Sequence, residues 1–121
     1  MQKLQLYIAL LVFTLVARTS QGQDSASVWT KYLQVKEVQK PLDAIDQLQS
    51  ILLDAKALQL DVLSVTIKKD LAELYLDIEQ DDKGLRMYFQ LSNEFLKAHD
   101  YEQLYDIYMS LSDYYEQREF P

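Results

Sequence analysis

The densest group of potential ligands in this chain is a run of four carboxylates, Asp77, Glu79, Asp81 and Asp82. A calcium loop needs alternating oxygen ligands around a central glycine and a closing glutamate. The run lacks that spacing, and it reads as a solvated helix end. His99 is the one imidazole. A lone histidine can neither assemble a zinc site nor complete a triad that has no nucleophile elbow, and near a helix C-terminus it simply complements the dipole. There are no cysteines, which removes thiolate ligands, thiol nucleophiles and disulfides. Gly22 and Gly84 are the only glycines, too few for a phosphate-cradling loop. The remaining acids are spread along the chain as the outer face of an acidic protein. The residues therefore predict a non-enzymatic protein with no catalytic group, no metal and no cofactor.

Nine tyrosines and Trp29 could stack on sugars or nucleobases. Most of them recur at a fixed register, so packing accounts for them first; those left over lie between Tyr101 and Tyr115. All nineteen acidic residues and ten of the twelve basic ones follow Gly22, so that part of the chain carries a net charge near −9. Such a surface repels phosphate backbones and anionic lipid, which argues against nucleic acid or a membrane surface as partner. It favours a protein or peptide ligand of basic character.

Two glycines and two prolines leave little turn chemistry for a β protein, and the class is all-α. Residues 1–22 have the layout of a secretory signal peptide: Lys3 in a short basic start, the apolar run from Tyr7 to Ala17, and Ser20-Gln21-Gly22 ahead of cleavage at Gln23. The apolar run is about half the roughly 20 residues that a spanning helix needs, so no stable membrane span is expected in the mature chain. An exported location follows, periplasmic or secreted. The rest, residues 23–121, reads as about five helices. The first, capped by Asp24 or Ser25, runs to about Gln39 with Val28, Tyr32 and Val35 inward. The second opens at Pro41 with Leu42, Ile45, Leu48, Leu52 and Ala55 on its stripe, and the third is capped by Asp61 and runs to about Gln80. Asp81 or Asp82 caps the fourth, which carries Leu85, Tyr88, Leu91, Phe95 and Leu96. A capping box of Asp100 and Gln103 opens the fifth, to about Gln117. Short loops make consecutive helices antiparallel neighbours.

The chain also repeats itself at about forty residues, a period typical of stacked helical units. Ala44 falls over Gly84, Leu48 over Tyr88, Ile51 over Leu91, Ala55 over Phe95 and Ile67 over Ile107. Set in rows of forty from Lys31, the second row, Leu71 to Ser110, has Leu71, Ala72, Tyr75, Gly84, Tyr88 and Leu91 alternating large and small, as two closely approaching helices require. Residues 25–121 thereby resemble the tetratricopeptide repeat (TPR) family in its longer-period form. The first row departs from the pattern, with Tyr32 at a small position and Lys31 at a large one, and Lys68, Tyr108 and Leu96 stand where the family often has tryptophan, tryptophan and proline. The resemblance implies antiparallel hairpins stacked as a right-handed array and a peptide-binding groove along the first helix of each hairpin. It places Trp29, Lys69 and Met109 in one groove column and Leu33, Glu73 and Asp113 in the next, with the acids at 73, 113 and 116 suited to a basic ligand.

By the same register the third hairpin is incomplete at Pro121, and the fifth helix is apolar around most of its circumference. A patch that one neighbour cannot bury is expected there, with Tyr101, Tyr105, Tyr108 and Tyr115 as candidates for self-association in a homodimer. The functional expectation is a non-enzymatic protein or peptide interaction module in an exported protein. The alternative is the N-terminal sensory or dimerisation part of a larger membrane-associated signalling protein, since the layout resembles that of bacterial sensor histidine kinases and regulators with exported repeats.

Overall fold

The computed structural model describes residues 25–119, which form five α-helices: α1 over residues 25–35, α2 (Pro41–Ala57), α3 (Asp61–Asp77), α4 (Asp81–Lys97) and α5 (Tyr101–Glu119). The signal-peptide-like segment and Pro121 lie outside the described residues. The fold is all-α, and α2 to α5 pack each against the next in chain order. No described helix is long and apolar enough to cross a membrane.

The helices α2 to α5 begin every twenty residues, half the period read from the sequence. The cause is a turn used three times. Leu60 N donates to the Ala55 carbonyl at 2.9 Å, Gln80 N to Tyr75 at 2.8 Å and Asp100 N to Phe95 at 2.9 Å. These bonds satisfy carbonyls that the helix ends would otherwise leave orphaned. Each turn puts one residue in the left-handed region: Gln59 at φ 57°, Glu79 at 64° and His99 at 56°. Glycine is the usual occupant there because a Cβ crowds the following carbonyl. None of the three is glycine, and His99 is thereby a turn residue.

The helix limits differ locally from those expected. Helix α1 stops at residue 35, where Glu37 N and Val38 N fold back onto the Gln34 and Val35 carbonyls. Asp61 and Asp81 are not caps. They are the first helical residues after Leu60 and Gln80, which make no side-chain cap hydrogen bond. Asp81 instead reaches α5, accepting from Tyr114 Oη at 2.6 Å and pairing with Arg118 at 3.1 Å. The Asp100 cap is present, with its Oδ1 3.3 Å from Gln103 N. Leu42 and Leu96 are exposed, and Ala44 and Ile51 take the inward positions on α2.

The core lies on two sides of α3. Val28, Tyr32 and Val35 of α1 meet Ile45, Leu48 and Ile51 of α2 and Leu63, Ile67, Leu71 and Tyr75 of α3 in one cluster. Ala72 of α3, with Tyr88, Leu91 and Phe95 of α4 and Leu104, Ile107 and Leu111 of α5, forms the other. Leu63, Ile67 and Leu71 are 2% exposed or less, each contributing roughly 1.5–3 kcal/mol of apolar burial. Between the clusters α3 and α4 approach so closely that a Cβ on Gly84 would lie 2.8 Å from the Ala72 carbonyl oxygen and from Leu76. A side chain can rotate away from such a contact, but a helix carbonyl cannot. Gly84→Ala should therefore lose up to about 2 kcal/mol of unfolding free energy in urea, an overpacking cost of about 1–3 kcal/mol set against a helix-propensity gain of about 1 kcal/mol. Undiminished stability would show that the helices have room to spare. Glu79→Gly should act in the opposite sense, raising stability by about 0.5–1 kcal/mol through relief of left-handed strain, and a lowered urea midpoint would contradict that account of the turn.

Candidate functional site

Two cavities of ≈290 Å³ each open on either side of α3 and share Glu73 and Asp77. The first lies between α1, α2 and α3. Its apolar lining is Val35, Val38, Ala44, Leu48 and Leu74, and its polar lining is Tyr32, Lys36, Asp70, Glu73 and Asp77. The second lies between α3, α4 and α5, where Leu76 and Tyr88 are flanked by Glu73, Asp77, Ser110, Asp113 and Arg118. Asp70, Glu73 and Asp77 stand three and four residues apart, so one face of α3 carries all three carboxylates. They form an acidic ridge with a mainly apolar recess on one side and a more polar one on the other.

The cations nearby are engaged. Arg118 pairs with Asp81 and stacks on Tyr114, its guanidinium 5.1 Å from the ring centroid. Lys69 donates to Gln103 Oε1 and lies over Phe95 at 5.8 Å. Lys36 sits 5.3 Å from the Tyr32 ring centroid. Among the described residues, Glu73, Asp77 and Asp113 form no ion pair. These groups do not gather tightly enough for a metal, since no described cluster of three or more acidic or imidazole side chains could hold one.

Comparisons with protein-family models, with curated proteins and with solved structures find no match to this chain.

The expected groove residues are only partly brought together. Glu73 lines both cavities and Asp113 lines the second. Lys69, one turn before Glu73, ties α3 to α5 through Gln103. Trp29, Leu33 and Met109 are 39%, 58% and 47% exposed and line neither cavity, and neither does Glu116. Asp70 and Asp77 escaped the repeat columns, although helical spacing from Glu73 points to both. Tyr32 and Tyr88 carried no polar signal at all, since each sits on an apolar stripe.

Both of those tyrosines are buried and hold their protons tightly. Burial first, then the hydrogen bond to Asp70 Oδ2 at 2.6 Å and that carboxylate's charge, push Tyr32 above the usual tyrosine range. Burial, followed by the charge of Glu73, raises Tyr88. The Tyr32–Asp70 bond links α1 to α3 across the mouth of the first cavity. The folded state thus binds the Tyr32 proton more strongly than the unfolded chain, whose tyrosines titrate near 10.0. The stability this supplies is complete below that pH and is lost as pH rises above it. Tyr32→Phe should cost about 0.5–1.5 kcal/mol at pH 7 and should flatten the fall in melting temperature above pH 10. An alkaline fall as steep as the parent's would show that Tyr32 does not carry it.

Proposed function

We propose that this chain is a non-enzymatic, TPR-type interaction module of an exported protein, and that the acidic ridge of α3 with its two recesses receives a peptide of basic character. The observation that carries this reading is the sharing of Glu73 and Asp77 between the two cavities, which makes one continuous surface with carboxylates along its crest, a mainly apolar recess on one side and a more polar one on the other. Lysine and arginine have long apolar stems and cationic heads. A stem fits a recess such as that lined by Val35, Leu48 and Leu74 while its head meets Asp70 or Asp77 at the rim. The TPR reading draws further support from Gly84, whose missing Cβ lets α3 and α4 close up against Ala72, at the two small positions of the repeat pattern.

Electrostatic complementarity of this kind gives specificity and fast association, and it weakens with salt. A synthetic peptide alternating lysine with valine should bind at low ionic strength, and its affinity should fall as salt is raised. Glu73→Lys reverses one of the two charges common to both cavities and should weaken binding by about fivefold or more, since an exposed pair contributes up to about 1 kcal/mol and the reversed charge adds repulsion. Isothermal titration of parent and variant checks this, and equal affinities would remove the ridge as the site.

A further inference from the structure

The forty-residue register sets one surface of the molecule against another. Gln49, Lys56 and Lys68 on α2 and α3 correspond to Phe89, Leu96 and Tyr108 on α4 and α5. In the first set Lys68 is half-buried and pairs with Glu94 of α4 at 3.6 Å, and it lines a seam with Met87, Gln90, Glu94 and the exposed Lys56. Gln49 is exposed and donates to Tyr75 Oη of α3 at 2.5 Å. In the second set all three residues are apolar, and Phe89, Leu96 and Tyr108 are 49%, 51% and 53% exposed. Three register positions that are polar on α2 and α3 are thus apolar and exposed on α4 and α5. A solvated end face would show the reverse.

The uncovered face continues along α5. Tyr101, Tyr105, Tyr108, Ser112 and Tyr115 follow one another at spacings of four, three, four and three, the 3.5-residue repeat of a seam that packs on another helix. The four tyrosines are exposed, while Leu104, Ile107 and Leu111 on the adjoining face take up the core. The outer edge of the seam carries Glu102 and Glu116 with Met109 between them. No lysine or arginine stands on α5 before Arg118, which is held by Asp81. Two copies joined through this seam would bring glutamates of both chains to one interface between strongly acidic molecules, and like charges oppose that pairing. A helix with lysine or arginine along its edge meets Glu102 and Glu116 with the opposite sign.

We propose that the face formed by Phe89 and Leu96 of α4 and Tyr105, Tyr108 and Tyr115 of α5 docks an amphipathic helix of a separate polypeptide, with its apolar stripe on the tyrosines and its basic edge toward Glu102 and Glu116. The surface is separate from the acidic ridge, and neither cavity includes these five residues. The mode is helix on helix, in which a few central aromatic anchors carry most of the affinity.

The test uses a labelled synthetic helix of about three heptads with leucine along its seam, made in one form with lysine at the edge positions and in another with glutamate. The lysine form should bind with a Kd of about 10–100 µM and gain helical circular dichroism, and the glutamate form should bind about tenfold more weakly or worse. Tyr105→Ser combined with Tyr108→Ser should weaken the lysine form by about tenfold or more, with an unchanged melting temperature because both side chains are exposed. Glu73→Gln combined with Asp77→Asn should leave that affinity within about twofold. No binding by either peptide overturns the proposal, and so does equal binding by both. Binding lost with the Glu73 and Asp77 changes but kept with the tyrosine changes assigns the peptide to the acidic ridge and also overturns it. Sedimentation equilibrium supplies the last arm: a dimer of the parent that the tyrosine changes dissolve would make a second copy the occupant.

Discussion

Everything in this molecule is arranged around α3 and the closeness with which α4 lies against it. The Ala72 carbonyl and the Cα of Gly84 leave no space for a methyl group between the two backbones. That approach brings Tyr88 and Leu91 over one flank of α3 while Leu48 and Ile51 cover the other. Each remaining helix then has a polar tie to α3: Tyr32 of α1 to Asp70, Gln49 of α2 to Tyr75, Glu94 of α4 to Lys68 and Gln103 of α5 to Lys69. Such ties are individually weak where solvent reaches them. Their effect is to fix orientation around a helix whose apolar side chains are already out of water.

The same arrangement decides where chemistry is available. With α3 wrapped on its flanks, the face left open carries Asp70, Glu73 and Asp77, and the recesses beside it are the gaps between α3 and its neighbours. Among the described residues no buried side-chain nitrogen or oxygen lacks a hydrogen-bond partner. Polar groups without partners therefore sit at the surface, on the ridge and along the edge of α5.

Turn chemistry carries the regularity. Three successive helices end in the same left-handed residue and the same backward hydrogen bonds, although glutamine, glutamate and histidine occupy that site. The turn persists with these residues because the helices on both sides are held by burial, and the strain at one residue is small beside that. Without glycine at residues 59, 79 and 99, the corners carry no compositional mark. The twenty-residue unit was nonetheless present in another form: Ile51, Leu71, Leu91 and Leu111 are all buried, one on each of α2 to α5.

The sequence by itself determined the helical class, the number of helices and most of the inward residues, because apolar spacing at 3.6 residues and the shortage of glycine and proline admit little else. It also determined the small contact at Gly84 and the unburied tyrosines of α5, since one helix cannot hide an apolar circumference. Only the tertiary structure decided that Asp81 of α4 bonds to Tyr114 and Arg118 of α5 instead of serving as a cap, that Leu42 and Leu96 face solvent, and that Trp29, Leu33 and Met109 stand outside both recesses while Asp70 and Asp77 join Glu73. A side chain's face is a local property of its own helix. What lies opposite that face depends on how neighbouring helices are rotated and how closely they approach, and here the missing Cβ at residue 84 and the three left-handed turns set both.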